Sequence, residues 1–298
     1  NQQSINKRSY MKNIVLIKFL IIFLLSINPV YASKVPNIPK GIDNMTYCDK
    51  KGGSFGHVIV VIDLTTTLDE ARIEFIKDQV FSKEFYMNYD PFTKFSYFLV
   101  NHNEPTKQKF LFSKCRPKTG DGNLSKLEKA TLFENSKVLN SYSSRFFNEA
   151  NELHNNIFSV KKDSKYSYIY ETIAYIFQNP KADFKSNHAY RELIVVSDLM
   201  QNTKRLSFYS ACNANSNNAL CPSFEEFMKN LSDKDYLTAT SPDGNNINLK
   251  MVYLNNRCET NKSLDQSLKL LWENYFKSRG FNVLETIHQT DINILGTC

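Results

Sequence analysis

The chain has 298 residues, of which 37 are Lys or Arg and 30 are Asp or Glu, for a formal charge of +7. That excess sits at the start: residues 1–32 carry Lys7, Arg8, Lys12 and Lys18 and no acid, so without them the charge falls from +7 to +3. A remainder so nearly neutral gives no warrant for nucleic-acid binding, and it is long enough to bury a sizeable core as one large domain.

In chain order, Met11 and Lys12 precede an apolar run from Phe19 to Ile27, followed by Pro29 and the small-residue end Val30-Tyr31-Ala32. This is the layout of a secretory signal peptide, with cleavage expected after Ala32. The run is short for a bilayer span and Lys18 interrupts it, so an exported protein, periplasmic or extracellular, is expected. An uncleaved leader would instead associate it with a membrane. Residues 33–56, rich in Pro, Gly, Asn and Lys, read as a lead-in, and 57–298 as the folded domain.

His57–Ile62 and Glu192–Val196 are short, nearly unbroken apolar runs rich in β-branched residues, as strands buried on both faces require. Between them the pattern predicts a helix over Leu68–Phe85, a strand pair at Lys94–Val100 and Lys109–Ser113, helical segments over Leu124–Phe158 and a helix at Tyr168–Phe177. Further on it predicts a helix around Phe224–Leu231, a strand at Asn248–Leu254, and a helix at Ser263–Ser278 closing at Gly280. Alternating strands and helices predict an α/β fold, a doubly wound, mostly parallel sheet with helices on both faces.

Six cysteines, Cys48, Cys115, Cys212, Cys221, Cys258 and Cys298, follow the leader. An even number in an exported chain predicts disulfides, while the absence of any Cys-x-x-Cys pair argues against zinc. Proximity in sequence predicts Cys212–Cys221. For the remaining four, Cys48 with Cys115 and Cys258 with Cys298 are the favoured pairs. The five histidines show neither ligand nor triad spacing.

The sharpest motif is Asp63-Leu64-Thr65-Thr66-Thr67, where the first buried strand ends. A tight turn there can aim Asp63, Thr65 and Thr67 at one point, one anionic and two neutral oxygens suited to a hard cation such as Mg2+ or Mn2+. Asp-x-Thr-x-Thr after an apolar strand resembles the Asp-x-Ser-x-Ser motif of the metal-ion-dependent adhesion site in von Willebrand factor A domains. That resemblance implies two further elements. Ser167 stands where the family has a loop Thr, with Thr172 as a rival, and Asp198 ends the second apolar strand directly after Ser197. Order and spacing agree over roughly residues 57–285. Two places depart from the family pattern, since Tyr166 and Leu199 stand where it commonly has Gly.

The resemblance implies a metal-dependent protein-binding module in which a partner protein's acidic side chain completes the coordination. Simpler roles exist for each residue: Thr65 or Thr67 as a helix cap, Asp198 as a turn residue. Two other functions compete. One is a metal-free envelope scaffold on the same fold. The other is a phosphatase of the haloacid dehalogenase type, whose motif needs an acid where this chain has Thr65. No Gly-x-Ser-x-Gly elbow supports a serine hydrolase.

Overall fold

A computed structural model describes residues 41–288 apart from 44, 51–52, 101–109, 122, 133, 160–163, 185–187, 214–218, 231–242 and 255–261. The leader, Cys258 and Cys298 therefore lie outside the described residues.

The described strands are β1 (Gly56–Asp63), β2 (Lys94–Val100), β3 (Phe112–Cys115), β4 (Tyr190–Ser197), β5 (Asn248–Tyr253) and β6 (Asn282–His288). They form one sheet in the order β3-β2-β1-β4-β5-β6, parallel throughout except for the antiparallel β2–β3 pair. Helices flank it: α1 (Glu70–Val80), α2 (Lys83–Met87), α3 (Ser136–Phe158), α4 (Ile169–Gln178), α5 (Phe208–Ala211), α6 (Phe224–Asn230) and α7 (Lys262–Ser278). This is the doubly wound, Rossmann-like α/β arrangement that the alternation predicted.

The period-two alternation of β1 divides the core. Val58, Val60 and Ile62 join one apolar cluster with Ile194 and Val196 of β4, covered by Ile76 and Val80 of α1, Phe85 and Tyr86 of α2, and Phe146 and Ala150 of α3. Ile59 and Val61 join the other with Leu193 and Val195, covered by Ile173 and Phe177 of α4 and Leu268 and Trp272 of α7. Every residue of β1 is buried, which explains why it reads as an unbroken apolar run.

Several expectations are corrected. The helix predicted over Leu68–Phe85 breaks in two, because Phe81 leaves helical geometry (φ −131°) and the Ser82 hydroxyl accepts the Phe85 N–H to cap a new helix. Leu124–Phe158 becomes helical only at Ser136, where the Asn135 side chain accepts the N–H groups of Lys137 and Val138. The turns before it rest on two ion pairs with buried cations, Arg116–Glu128 at 2.7 Å and Lys118–Glu134 at 2.9 Å. The strand expected at Lys109–Ser113 occupies Phe112–Cys115, residues 101–109 lying outside the description. Strand β6 was not anticipated. As the edge strand it leaves Asn282, Leu284 and Glu285 exposed and lacks the apolar run of its buried neighbours.

Among the described residues two disulfides are present, Cys48–Cys115 and Cys212–Cys221, both as expected. The first fastens the described part of the lead-in to β3. Beside it, the Cys115 N–H donates to the Thr46 carbonyl at 2.7 Å, and the fully buried Tyr47 donates its hydroxyl to Glu149 at 2.9 Å.

Candidate metal centre

Strand order places the site. From β1 the chain moves outward to β2 on one side, and from β4 outward to β5 and β6 on the other. The carboxyl ends of the adjacent β1 and β4 therefore flank a topological switch point, the crevice where open α/β sheets bind ligands. Asp63 ends β1 and Ser197 ends β4, with Ile62 opposite Val196 in the parallel register.

Asp63 is the hub. Its Oδ1 accepts the Thr65 backbone N–H at 3.0 Å and the Thr65 hydroxyl at 2.7 Å. Its Oδ2 accepts the hydroxyls of Ser167 at 2.8 Å and Ser197 at 2.9 Å. All four residues are buried. Three chain segments that are distant in sequence thus deliver hydroxyl protons to one carboxylate.

The loops that carry these groups are held by backbone bonds. The Ser164 N–H donates to the Thr65 carbonyl at 2.9 Å, and Ser167 and Asn202 exchange N–H···O bonds at 2.9 and 3.0 Å. Beneath them the buried Gln201 side chain accepts the Tyr170 N–H at 2.9 Å, at the start of α4, and donates to Glu171 at 2.7 Å. Backbone groups in a buried turn must find partners, and here polar side chains supply them.

The sequence-predicted residues fall into three positions. Asp63, Thr65 and Ser167 come together in one hydrogen-bonded cluster. Asp198 directly follows Ser197, is buried, and accepts the Met200 N–H on Oδ1 at 3.0 Å, the bond a turn aspartate makes. Thr67 is exposed on the outer part of its loop. Neither Thr65 nor Thr67 caps α1: Asp69 does, accepting the Arg72 N–H at 2.8 Å. The rival Thr172 is buried within α4. Ser197 is the contributor that spacing alone did not assign, and its position before a strand-end Asp was the only signal for it.

Both departures from glycine have visible consequences. Leu199 adopts φ +60°, the left-handed region a side chain enters only at a cost of about 1 kcal/mol or more. Its N–H donates to the Ser197 hydroxyl at 2.8 Å, and its carbonyl accepts the Trp272 indole N–H at 2.9 Å. Tyr166, half-buried, packs against Tyr168 with ring centroids 6.1 Å apart.

Among the described residues, no group of three or more His, Cys, Asp or Glu side chains is placed to hold a metal ion. The cluster here differs in kind, being the single Asp63 carboxylate with three hydroxyls. A hydroxyl that has given its proton to Asp63 keeps only acceptor capacity, so Thr65 and Ser167 offer oxygen lone pairs, as a hard cation requires. Ser197 also accepts the Leu199 N–H, which makes it a support. Each oxygen of Asp63 already takes two donors, which leaves little of the carboxylate for the attack that a phosphatase nucleophile must make.

No protein-family model matches the chain, and no curated protein matches it significantly. Among solved structures it is similar to an aerotolerance-related membrane protein from Bacteroides fragilis, at 8% identity over 79% of this chain and 92% of that one, with a TM-score of 0.33. It is also similar to the manganese-loaded TRAP protein of Plasmodium vivax, at 7% identity over 78% and 69% of the two chains, with a TM-score of 0.29. A third is proximal thread matrix protein 1 of the mussel byssus, at 9% identity over 76% and 45%, with a TM-score of 0.27. Scores this low carry no functional argument, and the fold assignment rests on the strand order described above.

Proposed function

We propose that this chain is an exported protein-binding module of the von Willebrand factor A type, in which Mg2+ or Mn2+ bound at the Asp63 centre is completed by an acidic side chain of a protein partner. One observation carries the reading: hydroxyls from two separate loops, Thr65 and Ser167, turn their protons onto Asp63 at a sheet switch point and keep their lone pairs for a cation. Asp63 organises the set, Thr65 and Ser167 are direct ligand candidates, and Asp198 supplies a second negative charge. Thr67, on the exposed part of the same loop, is the outermost candidate. With only two formal charges from the protein, a bound divalent ion stays electron-poor and favours an incoming carboxylate. Export is supported by the leader sequence and by two disulfides, which persist in oxidising compartments. Among the described residues no helix is long and apolar enough to cross a membrane.

A metal-free scaffold is the second reading, and one observation favours it: Asp63 is fully hydrogen-bonded without any ion. Thermal melting separates the two. A ligand that binds only the folded state raises its melting temperature, so about 1 mM Mg2+ or Mn2+ should raise that of the wild type and leave Asp63→Ala and Asp198→Ala unmoved. Equal responses from all three proteins would leave the scaffold standing and remove the metal centre.

A further inference from the structure

The three loops around Asp63 form one continuous surface. The loop at 164–168 is tied to Thr65 on one side and to Asn202 on the other. Asn202 further donates its side-chain amide to the Lys165 carbonyl at 2.6 Å and bridges to Ser207. Cations and tyrosines share these loops. Lys165, Lys204 and Arg205 are exposed, Tyr209 is exposed, and Tyr166 and Tyr168 are half-buried. The Lys165 ammonium stands 5.9 Å from the centre of the Tyr166 ring. Neither Lys165 nor Lys204 enters any ion pair among the described residues, whereas Lys114 and Lys118 are both paired.

The Asp63 segment adds acidic groups of its own. Beyond Thr67 the chain presents Asp69, already bonded to Arg72 at 2.8 Å, and the exposed Glu70. A uniformly sulfated polysaccharide would meet Glu70 and the Asp63 and Asp198 carboxylates as well as the cations. A peptide can place its charges selectively, and the tyrosines give it amphipathic contact area, Tyr and Arg being enriched at protein interfaces.

We infer that this rim of Lys165, Lys204 and Arg205 recognises an acidic stretch of a partner protein, binding further carboxylates beside the one taken by the metal centre. The central contact rests on the function proposed above; the rim contacts do not. The site therefore selects a run of Asp and Glu residues, and charge steering should speed its capture.

The test uses the full exported chain with its disulfides intact, in about 1 mM Mg2+. Fluorescence anisotropy would follow a labelled peptide of Asp, Glu and Gly, its counterpart with Asn and Gln, and heparin as the sulfated polysaccharide. The wild type should prefer the acidic peptide, and raising salt from about 50 to about 300 mM should weaken that binding steeply. The triple variant K165E/K204E/R205E should bind it at least about tenfold more weakly while keeping the Mg2+-induced melting shift of the wild type. Equal binding by triple variant and wild type would overturn the rim, as would tighter binding of heparin than of the peptide. Rim-dependent binding that survives EDTA in a protein without a Mg2+ shift would uphold the rim and remove the metal centre instead.

Discussion

Trp272 of α7 donates its indole N–H to the carbonyl of Leu199 at 2.9 Å, although 73 residues separate them. The bond is the outer end of a relay. The Leu199 N–H donates to Ser197, and the Ser197 hydroxyl donates to Asp63. A helix on one face of the sheet is thereby connected to the carboxylate at the end of the interior strand β1. Trp272→Phe keeps an aromatic ring against Phe276, whose centroid lies 5.5 Å away, and removes the indole donor together with the second ring. The Leu199 carbonyl still accepts the Gln201 N–H at 3.0 Å, so the lost bond itself costs about 0.5–1.5 kcal/mol and the space left by the smaller ring adds to it. Chemical denaturation should show a loss of about 1 kcal/mol or more. The metal-induced melting shift should shrink as well; an unchanged shift would mean that the relay does not reach the centre.

Leu199→Gly sets two effects against each other. Glycine relieves the left-handed backbone by about 1–2 kcal/mol, but Leu199 is completely buried, and truncating a buried leucine even to alanine costs about 2–5 kcal/mol. Packing wins, so the variant should unfold at lower denaturant than the wild type. A stabilised variant would show that backbone strain, and not the core contact, dominates at this position.

Glu192 on β4 contributes a pH dependence of its own. Burial, opposed by the Tyr89 hydroxyl and Lys250 and aided by Glu285, pushes its carboxyl up to about 7. Between the ordinary 4.5 and about 7 the folded state holds a proton that the unfolded chain has lost, so stability falls as pH rises through that window and is level above it. The full effect approaches about 3 kcal/mol. His57 acts in the opposite sense: burial, Lys94 and His188 hold it well below 6.5, so stability falls as acid protonates the unfolded chain below that value. Glu192→Gln should therefore be the more stable protein at about pH 8, with a profile that still declines on the acid side. A wild-type decline across the window that persists in Glu192→Gln would assign the effect to another group.

The Cys48–Cys115 bridge closes a loop of 67 residues, for which chain entropy gives about 4 kcal/mol, against about 2.5 kcal/mol for the nine-residue separation of Cys212 and Cys221. Replacing the first pair by serines should lower the denaturation midpoint more than replacing the second. Non-reducing peptide mapping of the wild type should recover both linkages.

The sequence made legible what depends on burial and local order. Strands β1 and β4 lie inside the sheet, so both of their faces had to be apolar and their ends stood out as Asp63 and Asp198. What depends on tertiary contact was hidden. Nothing local marks Ser82 as the start of a new helix inside an apolar periodic stretch, or β6 as a strand. Arg116 and Lys118 read as surface cations until their acidic partners in the following turns are placed. In the site, Asp63 and Ser167 could be matched by motif order, but Thr67 occupies the exposed part of its loop. Ser197 gained its role only from the register that sets β4 beside β1.

The bridge between Cys48 and Cys115 also has a mechanical meaning. Strands β1 and β2, the Asp63 loop, α1 and α2 all lie between the two cysteines. A pull on the chain from outside this span passes through the sulfur–sulfur link and bypasses the enclosed segment. Roughly 230 Å of contour, at about 3.4 Å per residue, is withheld from extension. Thr65 and Thr67, two of the three candidate ligand hydroxyls, therefore sit on a part of the molecule that tension cannot straighten while the bridge is closed. A module that holds a partner under load would keep the Asp63 loop inextensible even as the far side of the sheet begins to yield.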